Sequence, residues 1–165
     1  MDSIGPRGTA RFDPDATAVP APAPATLTIP SIAVRDAPVT DVGVEANGDM
    51  EVPGPREVGW YRYGAAPEAP GSTVLAAHIA FNGVDGVFRR LDRLDPGDDV
   101  VVTLDDGRKV PYVVTERVRL AKDALPARVF ATTGPSELVL ITCGGAFNPK
   151  LRSYEDNVIV YASPA

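Results

Sequence analysis

A single stretch decides how the rest of the chain is interpreted, and it reads Leu138-Val139-Leu140-Ile141-Thr142-Cys143-Gly144-Gly145. Four consecutive aliphatic residues, two of them β-branched, predict a strand that is buried on both faces. The run ends in the only cysteine of the chain. Two glycines follow, which allow a sharp turn and the close approach of a ligand. Because free cysteine is often only a small buried hydrophobe, this stretch alone leaves both a structural and a reactive role open.

The composition limits the class of protein. The chain has 165 residues, of which 44% are hydrophobic, enough for one soluble domain with its own core. Acidic residues outnumber basic ones by 22 to 16, which argues against nucleic acid as a partner. No apolar run reaches the ~20 residues that span a bilayer. No signal peptide is recognisable, and a single cysteine cannot form an internal disulfide.

The first 25 residues differ in composition from the rest. Proline alternates with alanine up to Ala25, which favours an extended spacer that cannot bury a core. We therefore expect residues 1–25 to be disordered or to form a stalk that holds the domain away from a surface. Residues 26–165 are expected to form the folded domain.

From Thr26 onward the sequence shows strand patterns separated by turn residues. Strands are predicted at 26–29, 32–34, 39–44, 72–77, 99–104, 109–118, 138–143 and 157–162. Residues 87–91 favour one or two helical turns, residues 82–86 a loop, and residues 120–134 a loop with a short helix. The aromatic residues within 59–64 are typical of a packing patch. These features predict a single all-β domain, either a barrel or a sandwich.

Two of the predicted strands are apolar throughout, and each ends at a residue type that occurs once in the chain, His78 and Cys143. If these strands are neighbours in a barrel, both side chains reach the same rim. An imidazole is the usual proton partner of a thiol nucleophile. Arg152 follows nine residues after the cysteine and can donate two hydrogen bonds to an oxyanion. Each residue alone is more often structural or solvated, but together they favour a thiol enzyme.

On these residues the sequence resembles the sortases, the cysteine transpeptidases of Gram-positive cell surfaces, over residues 26–162. The matching segments are Val74-Leu-Ala-Ala-His78, Gly86-Val-Phe88 with Leu91 and Leu94, Gly97–Val102, Leu138–Gly145 with Phe147, and Arg152–Ala162. The Cys-Gly-Gly sequence and the Tyr154-Glu-Asp-Asn157 variant are most similar to the actinobacterial class F branch, with class E as its neighbour.

The resemblance implies a closed eight-stranded β-barrel with one or two short helices. It also implies a monomeric enzyme on the extracellular face of the cell membrane, held by an anchor outside this sequence. Cys143 would attack the Thr–Gly carbonyl of an LPXTG-like sorting signal and form a thioester. His78 would protonate the leaving amine, and Arg152 would hold the substrate backbone and the oxyanion. A cell-wall precursor, another amine or water would then release the acyl group. We assign no metal and no other cofactor.

Substrate contacts are predicted less directly. In sortases the connection that corresponds to residues 120–134 walls the peptide groove, so Leu125 and Val129 are apolar candidates. Both are equally typical of core residues. Thr142, in the Ile-Thr-Cys sequence, is the third candidate.

The protonation states predict slow turnover. With unperturbed pKa values of ~6.5 for histidine and ~8.5 for cysteine, the thiolate–imidazolium pair is about one hundredth of the neutral pair. Burial at an apolar rim would lower that share, whereas Arg152 would raise it by favouring the thiolate.

Three alternatives differ from this interpretation in ways that the sequence or an assay can address. A papain-like peptidase places its cysteine before its histidine and at the start of a helix, the reverse of the order here. An L,D-transpeptidase would show a Ser-His-Gly-Cys-like sequence, which is absent. The alternative from another class is a non-catalytic β-barrel surface module that binds a partner and carries a structural thiol.

Overall fold

The computed structural model describes residues 22–46, 50–121, 125–148 and 153–165, and for residues 143–148 and 153–155 it describes the backbone alone. Most of the predicted linker lies outside these residues, so its disorder or stalk role stays a prediction. The first strand begins at Pro24, two residues before the predicted start of the domain.

Ten strands lie within the described residues. They are β1 (Pro24–Ile29), β2 (Val34–Val42), β3 (Val58–Tyr61), β4 (Gly71–Ala76), β5 (Ala80–Phe81), β6 (Val84–Asp85), β7 (Asp99–Leu104), β8 (Lys109–Ala121), β9 (Ser136–Asn148) and β10 (Ser153–Pro164). Short 3₁₀ helices occupy Pro30–Ile32, Leu91–Arg93 and Ala127–Phe130.

Eight of these strands form a closed barrel in the order β1-β2-β3-β4-β9-β10-β8-β7, and β7 pairs with β1 to close it. The all-β, eight-stranded barrel prediction is therefore confirmed. The pairs β2–β3 and β4–β9 are parallel, and the other barrel pairs are antiparallel. The strands β5 and β6 form a separate two-stranded hairpin.

In β9, residues 138–141 are buried on both faces, as their sequence predicts. Leu138 and Leu140 belong to the core inside the barrel, which draws residues from all eight barrel strands. Val139 and Ile141 point to the other face and join a second group. This outer cluster consists of Val74, Ala76, Val129, Val139, Ile141, Ile159 and Tyr161. The alternation is the period of two expected of a strand, with apolar partners on each side.

The connection between β8 and β9 covers the outer cluster, and Arg128 fastens it there. The guanidinium of Arg128 donates to both carboxylate oxygens of Glu137, at 3.1 and 2.8 Å, and to Glu116 at 2.9 Å. It also lies 3.6 Å above the ring of Tyr161. The hydroxyl of Ser72 on β4 donates to the carbonyl oxygen of Arg128 at 2.7 Å. The connection is thus tied to β4, β8, β9 and β10 at one point.

Several predicted element boundaries change. The strand predicted at 99–104 is observed with those bounds, and the one predicted at 39–44 is the end of the longer β2. The central strand was expected to turn after Cys143, but β9 continues to Asn148 because it pairs with β10 beyond the glycines. The helical turns predicted at 87–91 are tight i to i+3 turns that lead into the 3₁₀ helix at Leu91–Arg93.

Candidate active site

The parallel pairing of β4 with β9 determines where the two unique residues lie. Its last registered pair is Ala76 with Ile141, and the N–H of Ala77 donates to the carbonyl of Ile141 at 3.3 Å. His78 and Cys143 each follow that last pair by two residues. His78 therefore lies just beyond the end of β4 at the level of Cys143, which is still within β9, and the predicted adjacency of the two apolar strands is confirmed.

The structure does not describe the other two side chains of the predicted triad. The side chain of Cys143 and the whole of Arg152 lie outside the described residues, so their distances to the imidazole stay untested. Arg152 directly precedes Ser153, the first residue of β10, which pairs with Asn148 on β9. The assignment of these two residues to catalysis remains a prediction.

The imidazole of His78 is half-buried and held from two directions. Its ring stacks on that of Phe81, with centroids 4.9 Å apart and an angle of 30° between the planes. It also interacts with the backbone of Pro53 and Val52 in the segment before β3. Burial lowers the pKa of His78 below its ordinary value of 6.5, and the backbone groups offset part of that effect. The neutral imidazole is therefore favoured near pH 7.

The backbone of His78 is fixed by the segment that follows the β5–β6 hairpin. Phe88 donates its N–H to the carbonyl of His78 at 3.1 Å, and Gly86 donates to the carbonyl of Ile79 at 2.7 Å. A Cβ built on Gly86 would lie 1.9 Å from the carbonyl oxygen of His78, far inside ordinary contact. Only glycine fits at this position.

The sequence interpretation missed the hairpin that carries Phe81, because it treated residues 82–86 as a loop. Phe81 pairs with Val84 across Asn82 and Gly83, which have φ values of 51° and 78°. Positive φ at both central residues defines a type I′ turn, for which Asn-Gly is the strongest sequence signal. That dipeptide was the available clue, although strands of two residues are too short to give a periodic pattern.

The three predicted substrate contacts lie in different environments. Val129 has no exposed surface and packs in the outer cluster, whereas Leu125 is half-buried at the edge of that cluster. Thr142 is also buried, and its hydroxyl has no hydrogen-bond partner among the described residues. Val129 is thus a fully buried residue of the outer cluster, Thr142 is 6% exposed, and Leu125 is the most accessible of the three. Their roles as substrate contacts stay predictions.

Two features are absent from the described residues. No group of three or more histidine, cysteine or acidic side chains there could hold a metal ion. No helix in the same part of the chain is both long enough and apolar enough to cross a membrane.

A match to a protein-family model establishes the family of the chain. A family model described as a Sortase domain matches residues 27–165, which is most of the sequence. The chain belongs to the sortase family. The prediction that the chain is a sortase is therefore confirmed at the level of the family. None of the curated proteins matches this sortase sequence.

Solved structures agree on the fold. Sortase C1 of Streptococcus agalactiae superposes with a TM-score of 0.65 at 23% identity, covering 85% of this chain. The SrtA sortase of Actinomyces oris gives 0.66 at 20% identity, covering 90% of this chain and 87% of its own length. The Clostridium perfringens sortase D5 transpeptidase gives 0.65 at 20% identity, with coverages of 87% and 79%. The chain spans only 66% of the Streptococcus agalactiae structure, just under two thirds.

Proposed function

We propose that this sortase cleaves an LPXTG-like sorting signal between threonine and glycine and transfers the acyl group to an amine. The observation that carries the proposal is the β4–β9 pairing, whose last pair stands two residues before both His78 and Cys143. The sulfur of a cysteine and the imidazole of a histidine are a nucleophile and a proton carrier suited to acyl transfer. Membership of the sortase family supports the same reaction class.

In the proposed reaction, the thiolate of Cys143 attacks the threonine carbonyl carbon and forms a tetrahedral oxyanion. Arg152 donates hydrogen bonds to that oxyanion. The C–N bond to glycine then breaks while the His78 imidazolium donates its proton to the leaving amine, and a thioester remains. An acceptor amine attacks the thioester and loses a proton to the neutral imidazole, and the thiolate departs. Water in place of the amine gives hydrolysis.

The half-buried position of His78 sets the population of the reactive form. Because burial lowers the pKa of the imidazole, the thiolate–imidazolium share falls below the ratio of about one hundredth that unperturbed groups give. We expect slow turnover, and a guanidinium at position 152 would partly restore the thiolate.

The remaining parts of the proposal rest on sequence similarity. We assign the chain to the class F branch, with class E as its neighbour, on the Cys-Gly-Gly and Tyr154-Glu-Asp-Asn157 sequences. We place the enzyme on the extracellular face of a Gram-positive membrane, as a monomer, with residues 1–25 as a stalk and 26–165 as the catalytic domain. A cell-wall precursor is the proposed acceptor, and Leu125 is the proposed apolar contact for the peptide.

Mass spectrometry tests the proposal because the chain has one cysteine. Incubation with a panel of LPXTG-type peptides should leave an acyl adduct on Cys143 and release the fragment that begins with glycine. Cys143→Ala should form no adduct, and His78→Ala and Arg152→Ala should lose most of the cleavage rate while remaining folded. Absence of any adduct or cleavage across the panel would favour the non-catalytic binding module.

A further inference from the structure

The β5–β6 hairpin presents an exposed aromatic ring next to the imidazole of His78. The hairpin stands outside the barrel, and its two-residue turn at Asn82 and Gly83 makes it short and well defined. Its base is tied to the backbone of His78 and Ile79 by the N–H groups of Phe88 and Gly86. The position of the ring relative to the imidazole is therefore set by the backbone.

Phe81 is 47% exposed although it is large and apolar. One part of its ring covers the imidazole of His78, with 4.9 Å between the centroids. The exposed remainder is available to a molecule that approaches the imidazole.

Any amine that exchanges a proton with His78 must come within hydrogen-bond distance of the ring, about 3 Å. On the side of the imidazole toward Phe81, an atom held at that distance also lies within the roughly 6 Å over which an aromatic ring attracts a cation. An acceptor with a primary amine arrives as an ammonium at neutral pH, since such groups have pKa values near 10, as lysine does. The ring can attract the ammonium, which releases one proton to solvent, and the neutral imidazole then accepts the second proton as the amine attacks the thioester.

We propose that Phe81 is a binding residue for the acceptor, and that its partly exposed ring holds the primary ammonium of the acceptor beside His78. This inference rests on the proposed transpeptidase function and names the chemistry of its second substrate. The interaction acts after the thioester has formed. It therefore favours transfer to an amine over hydrolysis of the same acyl-enzyme.

The ratio of transfer product to hydrolysis product tests this role. Both products come from one thioester and both use His78, so a general loss of activity leaves the ratio unchanged. With pentylamine as acceptor, Phe81→Ala should lower the ratio by about two- to fivefold, the fold-change that a cation–π contact at an exposed site supports. Phe81→Tyr and Phe81→Trp should keep the ratio or raise it.

Two further arms separate the ring face from mere apolar volume. Phe81→Leu keeps apolar bulk without the ring, and we expect it to lower the ratio nearly as far as alanine does. Hydroxylamine, which is uncharged near neutral pH, should show a smaller effect of every substitution than pentylamine. Tyr63→Ala is the matched control, because it removes an exposed aromatic ring whose described contacts are Tyr61 and Arg62 rather than His78.

The outcomes are distinguishable. An unchanged transfer-to-hydrolysis ratio in Phe81→Ala, or a wild-type ratio in Phe81→Leu, overturns the inference. A wild-type enzyme that forms the thioester but transfers nothing to pentylamine also overturns it. Failure of the wild-type chain to form any thioester refutes the proposed function itself, and the inference falls with it.

Discussion

Gly86 gives the sharpest test of how the backbone positions the proposed catalytic histidine. A Cβ on Gly86 would lie 1.9 Å from the carbonyl oxygen of His78, 2.4 Å from its carbonyl carbon and 3.0 Å from its Cβ. Gly86 is not among the residues with positive φ, so an alanine there would not be forced into the left-handed region. The obstacle is therefore the space occupied by His78 alone.

The size of the displacement follows from these distances. Real Cβ contacts are essentially never shorter than 3.0 Å, so Gly86→Ala requires the two backbones to move apart by at least 3.0 − 1.9 = 1.1 Å. The same shift lengthens the hydrogen bond from Phe88 to the His78 carbonyl, which is 3.1 Å long. A misplacement of ~1 Å can cost about 100-fold in rate, and overpacking costs about 1–3 kcal/mol of stability.

We therefore expect Gly86→Ala to lower kcat for peptide cleavage by about 100-fold and the free energy of unfolding by about 1–3 kcal/mol. Cleavage is followed by mass spectrometry and unfolding by chemical denaturation. Because His78 is the only histidine, its ring resonances in an untagged sample report directly on the displaced imidazole. Alkylation of the single cysteine at alkaline pH checks that the thiol itself still reacts.

Gly54→Ala is the matched control. Gly54 lies in the same region, its φ is not positive, and the nearest atom to an added Cβ is a Glu57 carboxylate oxygen at 3.9 Å. We expect it to leave kcat within about twofold, since an ordinary van der Waals contact costs little. The reasoning is refuted if Gly86→Ala keeps a wild-type kcat, or if Gly54→Ala loses as much activity.

Four other results are expected. Because the pKa of His78 lies below 6.5 through burial, the acid limb of kcat/KM should have its midpoint below 6.5; a midpoint above 6.5 would contradict this. The unfolded state binds more protons between that lowered pKa and 6.5, so stability should rise with pH across this window, and His78→Gln should flatten the rise measured by denaturation. Arg128→Ala should lower the free energy of unfolding by about 1–2 kcal/mol, because it removes exposed ion pairs and the contact with Tyr161. Arg128→Lys should restore little of that loss, since lysine cannot bind Glu137 with two parallel hydrogen bonds. Equal unfolding curves for the wild type and Arg128→Ala would exclude the proposed role of Arg128 in holding the β8–β9 connection. Val129→Ala should lower the free energy of unfolding by about 1.5–3 kcal/mol and change the KM for peptide little, because Val129 is fully buried. Leu125→Ala should show the opposite pattern, with a raised KM and a smaller loss of stability. A raised KM in Val129→Ala alone would exclude Leu125 as the peptide contact.

The all-β class could be predicted because most of the barrel strands carry period-two or continuous apolar patterns, and the closed eight-stranded barrel was implied by the resemblance to sortases. The strand β3, which has four residues, was not predicted. The runs that became β4 and β9 predicted burial on both faces, and the structure provides one apolar cluster for each face. Their pairing with each other could only be inferred, since sequence patterns do not specify which strand lies beside which. The end of β9 was missed because glycine after Cys143 suggested a turn, whereas pairing with β10 continues through it.

The surroundings of the site could not be predicted in the same way. Phe81, Gly86 and Pro53 lie in segments without periodicity, and each acts through a neighbour that is distant in sequence or reached by the backbone. Arg128 likewise depends on Glu116 and Glu137, which sit on two different strands. Such contacts are consequences of the closed barrel, and only the three-dimensional structure reveals them.

The barrel and the segment 79–88 position different parts of the proposed site. The barrel supplies the backbone positions of His78 and Cys143 through a ladder of aliphatic residues that leaves no freedom of register. Fine placement of the imidazole depends instead on the short segment 79–88, which has its own hairpin and a glycine packed on the His78 carbonyl. The hairpin itself, residues 80–85, contributes nothing to either apolar cluster, whereas Phe88 at the end of the segment is part of the barrel core. Changes confined to the hairpin are therefore expected to alter the surroundings of the imidazole while the barrel keeps its stability.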